Sequence, residues 1–254
     1  MVESDGVPYD ALDLLACVVD QDLLNQYKSD YGHPLVTAYA TIDGHAVGIV
    51  ANQHQSSRSK KHGIQLGGVI YGDSADKASR FIMDCNQTQL PIIFFQDVQG
   101  FMVGRDAEQS GIIRSGAKLV NVVSNVTVPK ITIIIGGSFG AGNYALCGKA
   151  FDPCFVFAWP GARYAVMGAA QAAGTLLDLE QRHAQVLSNE DCQRLRQTIE
   201  DEYQRQTDIR YGAARGWVDA VIAPHMTREV LIQSICWVTR KPPGAGLRTG
   251  VLQV

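Results

Sequence analysis

Residues 131–147 read ITIIIGGSFGAGNYALC, and the fold class turns on this stretch. Five consecutive β-branched residues, Ile131 to Ile135, carry no polar alternation, so they predict a strand buried on both faces. Four glycines then fall within seven positions, Gly136 to Gly142, and helix-forming residues follow. A doubly buried strand, a glycine turn and a helix make up the repeating unit of a mainly parallel sheet covered by helices.

The same unit stands on either side. PIIFFQDVQGFMVG (91–104) leads into DAEQSGIIRSGAKLVNVVSNV, and CFVFAWPGARYAVMG (154–168) leads into AAQAAGTL, so each turn falls on the same edge of the sheet. Upstream, LVTAYATIDGHAVGIVANQ alternates on both sides of Asp43-Gly44, which predicts a β-hairpin. Pro8 to Asp20 and SADKASRFIMDCNQTQL have helical spacing, while QHQSSRSKKHGIQ (53–65) is polar and aperiodic and reads as a surface loop. Toward the C-terminus, residues 178–208 read as one or two solvent-facing helices. WVDAVIAP follows as a short last strand, TREVLIQSICWVTR as an amphipathic helix and KPPGAGLRTGVLQV as a proline-stiffened tail. No linker interrupts this pattern, so residues 1–254 are read as one α/β domain.

Composition excludes several classes of function. With 46% hydrophobic residues, 19% charged residues and a net charge of -3, the chain lacks the basic excess that marks nucleic-acid binding. It has no uninterrupted apolar run long enough to span a membrane, and its first residues do not read as a secretory signal. Its six cysteines form no C-x-x-C pair and mostly sit among apolar neighbours, which predicts buried free thiols, a reducing compartment and no zinc site.

The glycine turn has three readings. Gly140-Ala141-Gly142-Asn143-Tyr144-Ala145 fits G-x-G-x-x-A, but a dinucleotide site needs an acidic residue closing the next strand, and Trp159-Pro160-Gly161 stands there. A Walker loop is excluded because Gly148-Lys149 is followed by Ala150. Alternatively the glycines allow close helix-on-strand packing. The third reading takes Gly136-Gly137 and Gly140-Ala141-Gly142 as two tight turns whose free N–H groups form an oxyanion hole at a helix start. Ser138 lacks the spacing of an activated nucleophile. Asp97, Asp106 and Glu108 are the nearby acid or base candidates, though Asp106 and Glu108 read first as carboxylates in the first turn of the next helix. Such residues suit chemistry that relies on oxyanion stabilisation and positioning, as in enolate reactions of thioesters.

The segments FFQDVQGFMVGRDAEQSGIIRSGAKLV, VPKITIIIGGSFGAGNYALCGKAFDP and FAWPGARYAVMGAAQAAGTL resemble the C-terminal half of the carboxyltransferase subunits of biotin-dependent acyl-CoA carboxylases, especially the methylcrotonyl-CoA carboxylase β subunit. The likeness extends from YDALDLLACVVD to RYGAARGWVDAVIAPHMTREVL and thus covers nearly the whole chain. It implies a crotonase-like (ClpP/crotonase) fold of repeated ββα units and carboxyl transfer between carboxybiotin and an acyl-CoA. It further implies that the N–H groups of Ala141 and Gly142 receive the ureido oxygen of biotin, with Gly100, Phe101, Gly137 and Gly140 around the biotin pocket and no metal. The family's subunits also contain an N-terminal half that binds CoA, for which this sequence has no counterpart. The implied partners are therefore such an N-half, a biotin carrier protein and a biotin carboxylase, in the cytoplasm or, in a eukaryote, the mitochondrial matrix. QDVQG, DAE and the long 53–81 stretch are similar to the α subunit of glutaconyl-CoA decarboxylase, which leaves the direction of transfer open. A non-catalytic assembly module with the same fold is the alternative from another class.

Overall fold

The computed structural model describes residues 8–59, 63–168, 172–175 and 189–240. Asp10 caps the first helix, α1 (Ala11–Ala16), its carboxylate accepting from Leu12 N at 2.9 Å. A two-residue strand, β1 (Asn25–Gln26), then pairs with the predicted hairpin of β2 (Leu35–Ile42) and β3 (His45–Asn52). Asp43 and Gly44 both take positive φ, 51° and 75°, as a two-residue turn between twisted strands requires.

The segment predicted as a loop folds differently. Ser57–Ser59 (β4) and Gly63–Gln65 (β5) pair as two short antiparallel strands, which no hydrophobic alternation announces because both lie on the surface apart from Gln65. Val69–Ile70 (β6) leads into α2 (Gly72–Gln87), whose apolar face, with Phe81, Ile82 and Cys85, is fully buried.

Three doubly buried strands follow as predicted. They are β7 (Ile92–Val98), β9 (Lys130–Phe139) and β10 (Phe155–Ala158), with the short β8 (Gly100–Phe101) pairing with β6. The main sheet runs β1-β2-β3-β7-β9-β10-β12, where β12 is Ala220–Val221 and every pairing from β3 onward is parallel. A further short strand, β11 (Arg163–Ala165), pairs with the C-terminal end of β9. One face packs Ile93, Phe95, Ile131 and Ile133 against α1 and the helix Thr227–Val238; the other packs Phe94 and Val98 against α2 and α4 (Ile112–Asn125).

The helical segment after β7 is two helices, α3 (Arg105–Gln109) and α4, because Gly111 adopts φ 92° and breaks the run. Asp106 and Glu108 occupy the first turn of α3, as helix-start carboxylates do. Residues 189–207 form an exposed helix, whereas 176–188, 169–171 and the tail 241–254 lie outside the described residues. Of the six cysteines only Cys85 and Cys147 are buried, so the expectation of mostly buried thiols is corrected; Cys17 and Cys154 are exposed.

Candidate functional site

Gly136 and Gly137 do not form a turn, contrary to the sequence reading. β9 continues through them to Phe139, bulging against β7: Gln96 pairs with Ile134, but Val98 pairs with Ser138. Between those pairs Asp97 alone faces Ile135, Gly136 and Gly137. Its Oδ1 accepts the Gly137 N–H at 2.7 Å, so that donor is occupied within the protein. A Cβ on Gly136 would overlap the same carboxylate, which explains glycine there by packing.

The other oxygen, Asp97 Oδ2, accepts from the Tyr9 hydroxyl at 2.8 Å and lies 3.4 Å from His54 Nε2. The Tyr9 and His54 rings stack with centroids 5.0 Å apart, and Asn52 Oδ1 accepts from Asp97 N at 3.1 Å. Burial, then the Asp97 charge, raises the Tyr9 phenol well above its ordinary range. The N-terminal segment is thereby tied to the bulge that aims β9 at the glycine turn.

Beyond the bulge a second buried polar chain fixes the turn. Ser138 Oγ donates to Gln96 Oε1 at 2.6 Å and accepts from Asn143 Nδ2 at 2.7 Å, while Gln96 Nε2 donates to Leu146 O at 2.7 Å. Ser138 is thus a structural hydroxyl linking β7, β9 and the following helix.

That helix, α5 (Gly140–Ala145), starts one residue after β9 ends, with Gly140 at φ 52°. Its geometry leaves the N–H groups of Gly140, Ala141 and Gly142 without acceptors inside the helix. Gly142 is buried, and a Cβ there would meet Val98 Cγ2 at 2.5 Å and Gly100 Cα at 3.3 Å. Gly100 and Phe101, read from sequence as a turn, form strand β8 because they pair with β6, and the fold brings this strand against the first turn of α5, where bare backbone at Gly142 lets them meet. Gly100 itself adopts φ 142°, and the Phe101 ring packs over Gly116.

Gly140 and Ala141 open on a cleft of about 470 Å³ whose other walls include Tyr144, Tyr164, Tyr203, Tyr211 and Trp217, with Asn143 and Gln206 as polar lining. Ala141 and Tyr144 are exposed, whereas Gly137 and Gly142 lie behind the surface. Tyr164 and Trp217 stand 5.6 Å apart between ring centroids, and Tyr211 is 6.1 Å from Trp217. Desolvation pushes the Tyr164 phenol above its usual value, so at neutral pH it stays protonated. Besides Tyr144 of α5, the aromatic walls come from β11, from residues 189–207, from the short helix Ile209–Ala213 and from the loop before β12, and the motif reading of the turn missed them. RYGAARGWVD, which holds two of them, entered only through the family likeness.

Chemically, the arrangement offers unpaired backbone donors beside an apolar, aromatic pocket. Such a pocket suits a compact ligand with an apolar body and an oxygen that gains charge. Among the described residues no helix is long and apolar enough to cross a membrane.

Comparison with known proteins accords with this geometry. Residues 2–243 match the family model described as the carboxyl transferase domain. The chain is 40% identical over 227 residues to a protein of Drosophila melanogaster named as a probable mitochondrial methylcrotonoyl-CoA carboxylase beta chain, covering 88% of this chain and 37% of that one. It is 40% identical over 236 residues to a biotin-dependent 3-methylcrotonyl-coenzyme A carboxylase beta1 subunit of Mycobacterium tuberculosis, covering 91% and 42%. Among solved structures, the beta subunit of Pseudomonas aeruginosa geranyl-CoA carboxylase superposes with a TM-score of 0.80 at 34% identity, covering 96% of this chain and 44% of that one. The chain thus spans about two fifths of the length of these relatives. The parallel sheet with its strand, turn and helix units is the crotonase-like fold these neighbours share. With a family match over nearly its whole length and this glycine turn at the sheet edge, the chain belongs to the carboxyl transferase domain family.

Proposed function

We propose that this chain is the biotin-side half of an acyl-CoA carboxyltransferase, moving a carboxyl group between carboxybiotin and the α-carbon, or the vinylogous γ-carbon, of an acyl-CoA. The observation that carries the reading is the junction of strand β8 (Gly100–Phe101) with the unpaired first turn of α5 beside an aromatic cleft. The residues fit biotin: Gly140 and Ala141 on one wall and Tyr164 and Trp217 on another suit a small bicycle with one polar edge. When bound, carboxybiotin would supply the carboxyl group.

The chain's own contribution is electrostatic. The N–H groups of Ala141 and Gly142 hold an oxygen that gains negative charge as the carboxyl leaves. Losing one such donor slows acyl transfer about 10²- to 10³-fold. Gly140 lines the same pocket and Phe101 lies on the neighbouring strand β8, while Gly137, its N–H bound by Asp97, supports the site from behind. The aromatic walls exclude water, which strengthens the interaction by lowering the local dielectric.

A CoA-binding N-terminal half belongs to the proposal, as a second polypeptide or as part of a longer form of this one. The same holds for a biotin carrier and a biotin carboxylase, in cytoplasm or mitochondrial matrix. The test mixes the purified chain with a separately expressed N-terminal carboxyltransferase half and follows malonyl-CoA decarboxylation with and without free biotin. Biotin-dependent turnover supports the proposal. Its absence, in a mixture that forms the complex, refutes it.

A further inference from the structure

Lys77 lies in the second turn of α2 with only 3% of its surface exposed. Among the described residues its ammonium has neither a hydrogen-bond acceptor nor a carboxylate at ion-pair distance. Its stem is buried while the ammonium keeps contact with the surface, so the charge is open to a partner from outside. The carboxylates nearby are engaged elsewhere. Asp73 accepts from Gln65 Nε2 at 3.0 and 3.1 Å and from Ser74 N at 2.8 Å. Asp76 pairs with Lys118 at 3.5 Å and accepts from Ser115 Oγ at 3.1 Å, and Asp84 pairs with Arg80 at 3.7 Å.

Lys77 lines a cleft of about 450 Å³ whose other walls are Lys28, Tyr31, Asp76 and Arg80. Lys28 is exposed and its ammonium lies 5.3 Å above the Tyr27 ring, with no carboxylate partner among the described residues. Three cations thus line one space with one carboxylate, Asp76, which has its own lysine; Arg80 is already paired with Asp84 outside the lining, while Lys77 and Lys28 have no carboxylate partner among the described residues. This cleft shares no lining residue with the one at the glycine turn.

We propose that Lys77, Lys28 and Arg80 form a binding site for a phosphate group, separate from the glycine-turn cleft. Two ammonium groups act as point charges that need no planar partner, and the guanidinium adds directed donors, a combination that matches the several oxygens of a phosphate better than one flat carboxylate. Burial holds the Lys77 ammonium down at about 8, with Asp73 opposing the shift, and a bound dianion would move it back up. The phosphate has two sources, free inorganic phosphate or a phosphorylated ligand such as CoA, and separate titrations distinguish them.

The full chain is titrated with inorganic phosphate and, separately, with CoA, at constant ionic strength set by chloride, and binding is read from the rise in Tm. Saturable stabilisation by either ligand is expected, and the tighter of the two identifies the source. Lys28→Glu changes an exposed side chain and should weaken that binding about tenfold or more, since it replaces an attraction by a repulsion. Lys77→Met should abolish it; if that variant does not fold, Lys28→Glu and Arg80→Glu decide. A Tm response that never saturates with either ligand, or one that is unchanged in the exposed-site variants, overturns the proposal.

Discussion

Asp97 Oδ1 accepts the Gly137 N–H at 2.7 Å, and this one bond spans the bulge between β7 and β9. It uses a backbone donor that, from sequence, reads as free for a ligand. The carboxylate also receives the Tyr9 hydroxyl, so the N-terminal segment, β7 and β9 meet at one buried group. Asp97→Ala leaves the Gly137 N–H and the Tyr9 hydroxyl without their acceptor. The expected loss of stability in urea denaturation is about 1–3 kcal/mol, the penalty of a buried unsatisfied donor. Asp97→Asn, which keeps one acceptor oxygen, should lose less. Equal stability of Asp97→Ala and the parent would show that the bond does not hold the bulge.

The Tyr9 phenol gives this cluster a pH signature. Its pKa in the folded state is raised above the ordinary 10.0, first by burial and then by Asp97. Above that ordinary value the unfolded chain releases the proton while the folded chain keeps it. Stability contributed by the group is complete below pH 10 and declines as pH rises further. Chemical denaturation of the parent and Tyr9→Phe across pH 9 to 11 should show a steeper alkaline decline in the parent. Parallel curves would contradict the burial of this phenol.

Lys77 predicts the opposite slope. Its folded-state value of about 8 lies below the usual 10.5, so between those values the unfolded chain binds more protons. Through that window in phosphate-free buffer the parent should gain stability relative to Lys77→Met, a difference that separates the lysine from the buried Cys85 and Cys147 thiols, whose raised pKa acts in the opposite direction. Saturating phosphate should flatten the rise, because a bound anion favours the charged ammonium. Parallel curves for the parent and Lys77→Met between pH 8 and 10 would contradict this account of the lysine.

The aromatic cleft makes a prediction about affinity. Trp217 is 36% exposed and packs between Tyr164 and Tyr211, so Trp217→Ala removes a wall with modest loss of stability. With free biotin as acceptor, KM should rise about tenfold, the equivalent of roughly 1.4 kcal/mol of apolar contact, while kcat changes less. An unchanged KM would place the ligand elsewhere.

How far these features could be read from sequence depended on the range of the interactions behind them. Local chemistry was legible: Asp43-Gly44 set the hairpin, and the unbroken apolar runs of β7 and β9 gave parallel strands between helices. Long-range pairing was not. Gly136-Gly137 looks like a turn until Asp97, 40 residues away, takes up one N–H and leaves no room for a side chain at Gly136. Gly142 likewise has a packing reason for its bare backbone, Val98, that no local pattern reveals. The pairing of Ser57–Ser59 with Gly63–Gln65 escaped notice because these largely exposed strands carry no apolar alternation. The aromatic walls around Trp217 were hidden because segments more than 50 residues apart supply them.

Gly142 is a poor place to test the oxyanion donors, since any side chain there collides with Val98 and would disturb the fold whatever its chemistry. Ala141 is exposed and occupies the second position of α5, in the first turn, where proline is tolerated and removes only a hydrogen-bond donor. The decisive measurement compares biotin-dependent carboxyl transfer by Ala141→Pro and Ala141→Ser in the complex reconstituted with an N-terminal half, alongside Tm for each. A backbone donor at this position predicts that Ala141→Pro loses about 10²- to 10³-fold in kcat with little change in Tm, while Ala141→Ser stays near the parent. Full activity in Ala141→Pro would contradict it, and would favour a chain that keeps the fold only to assemble with its partners.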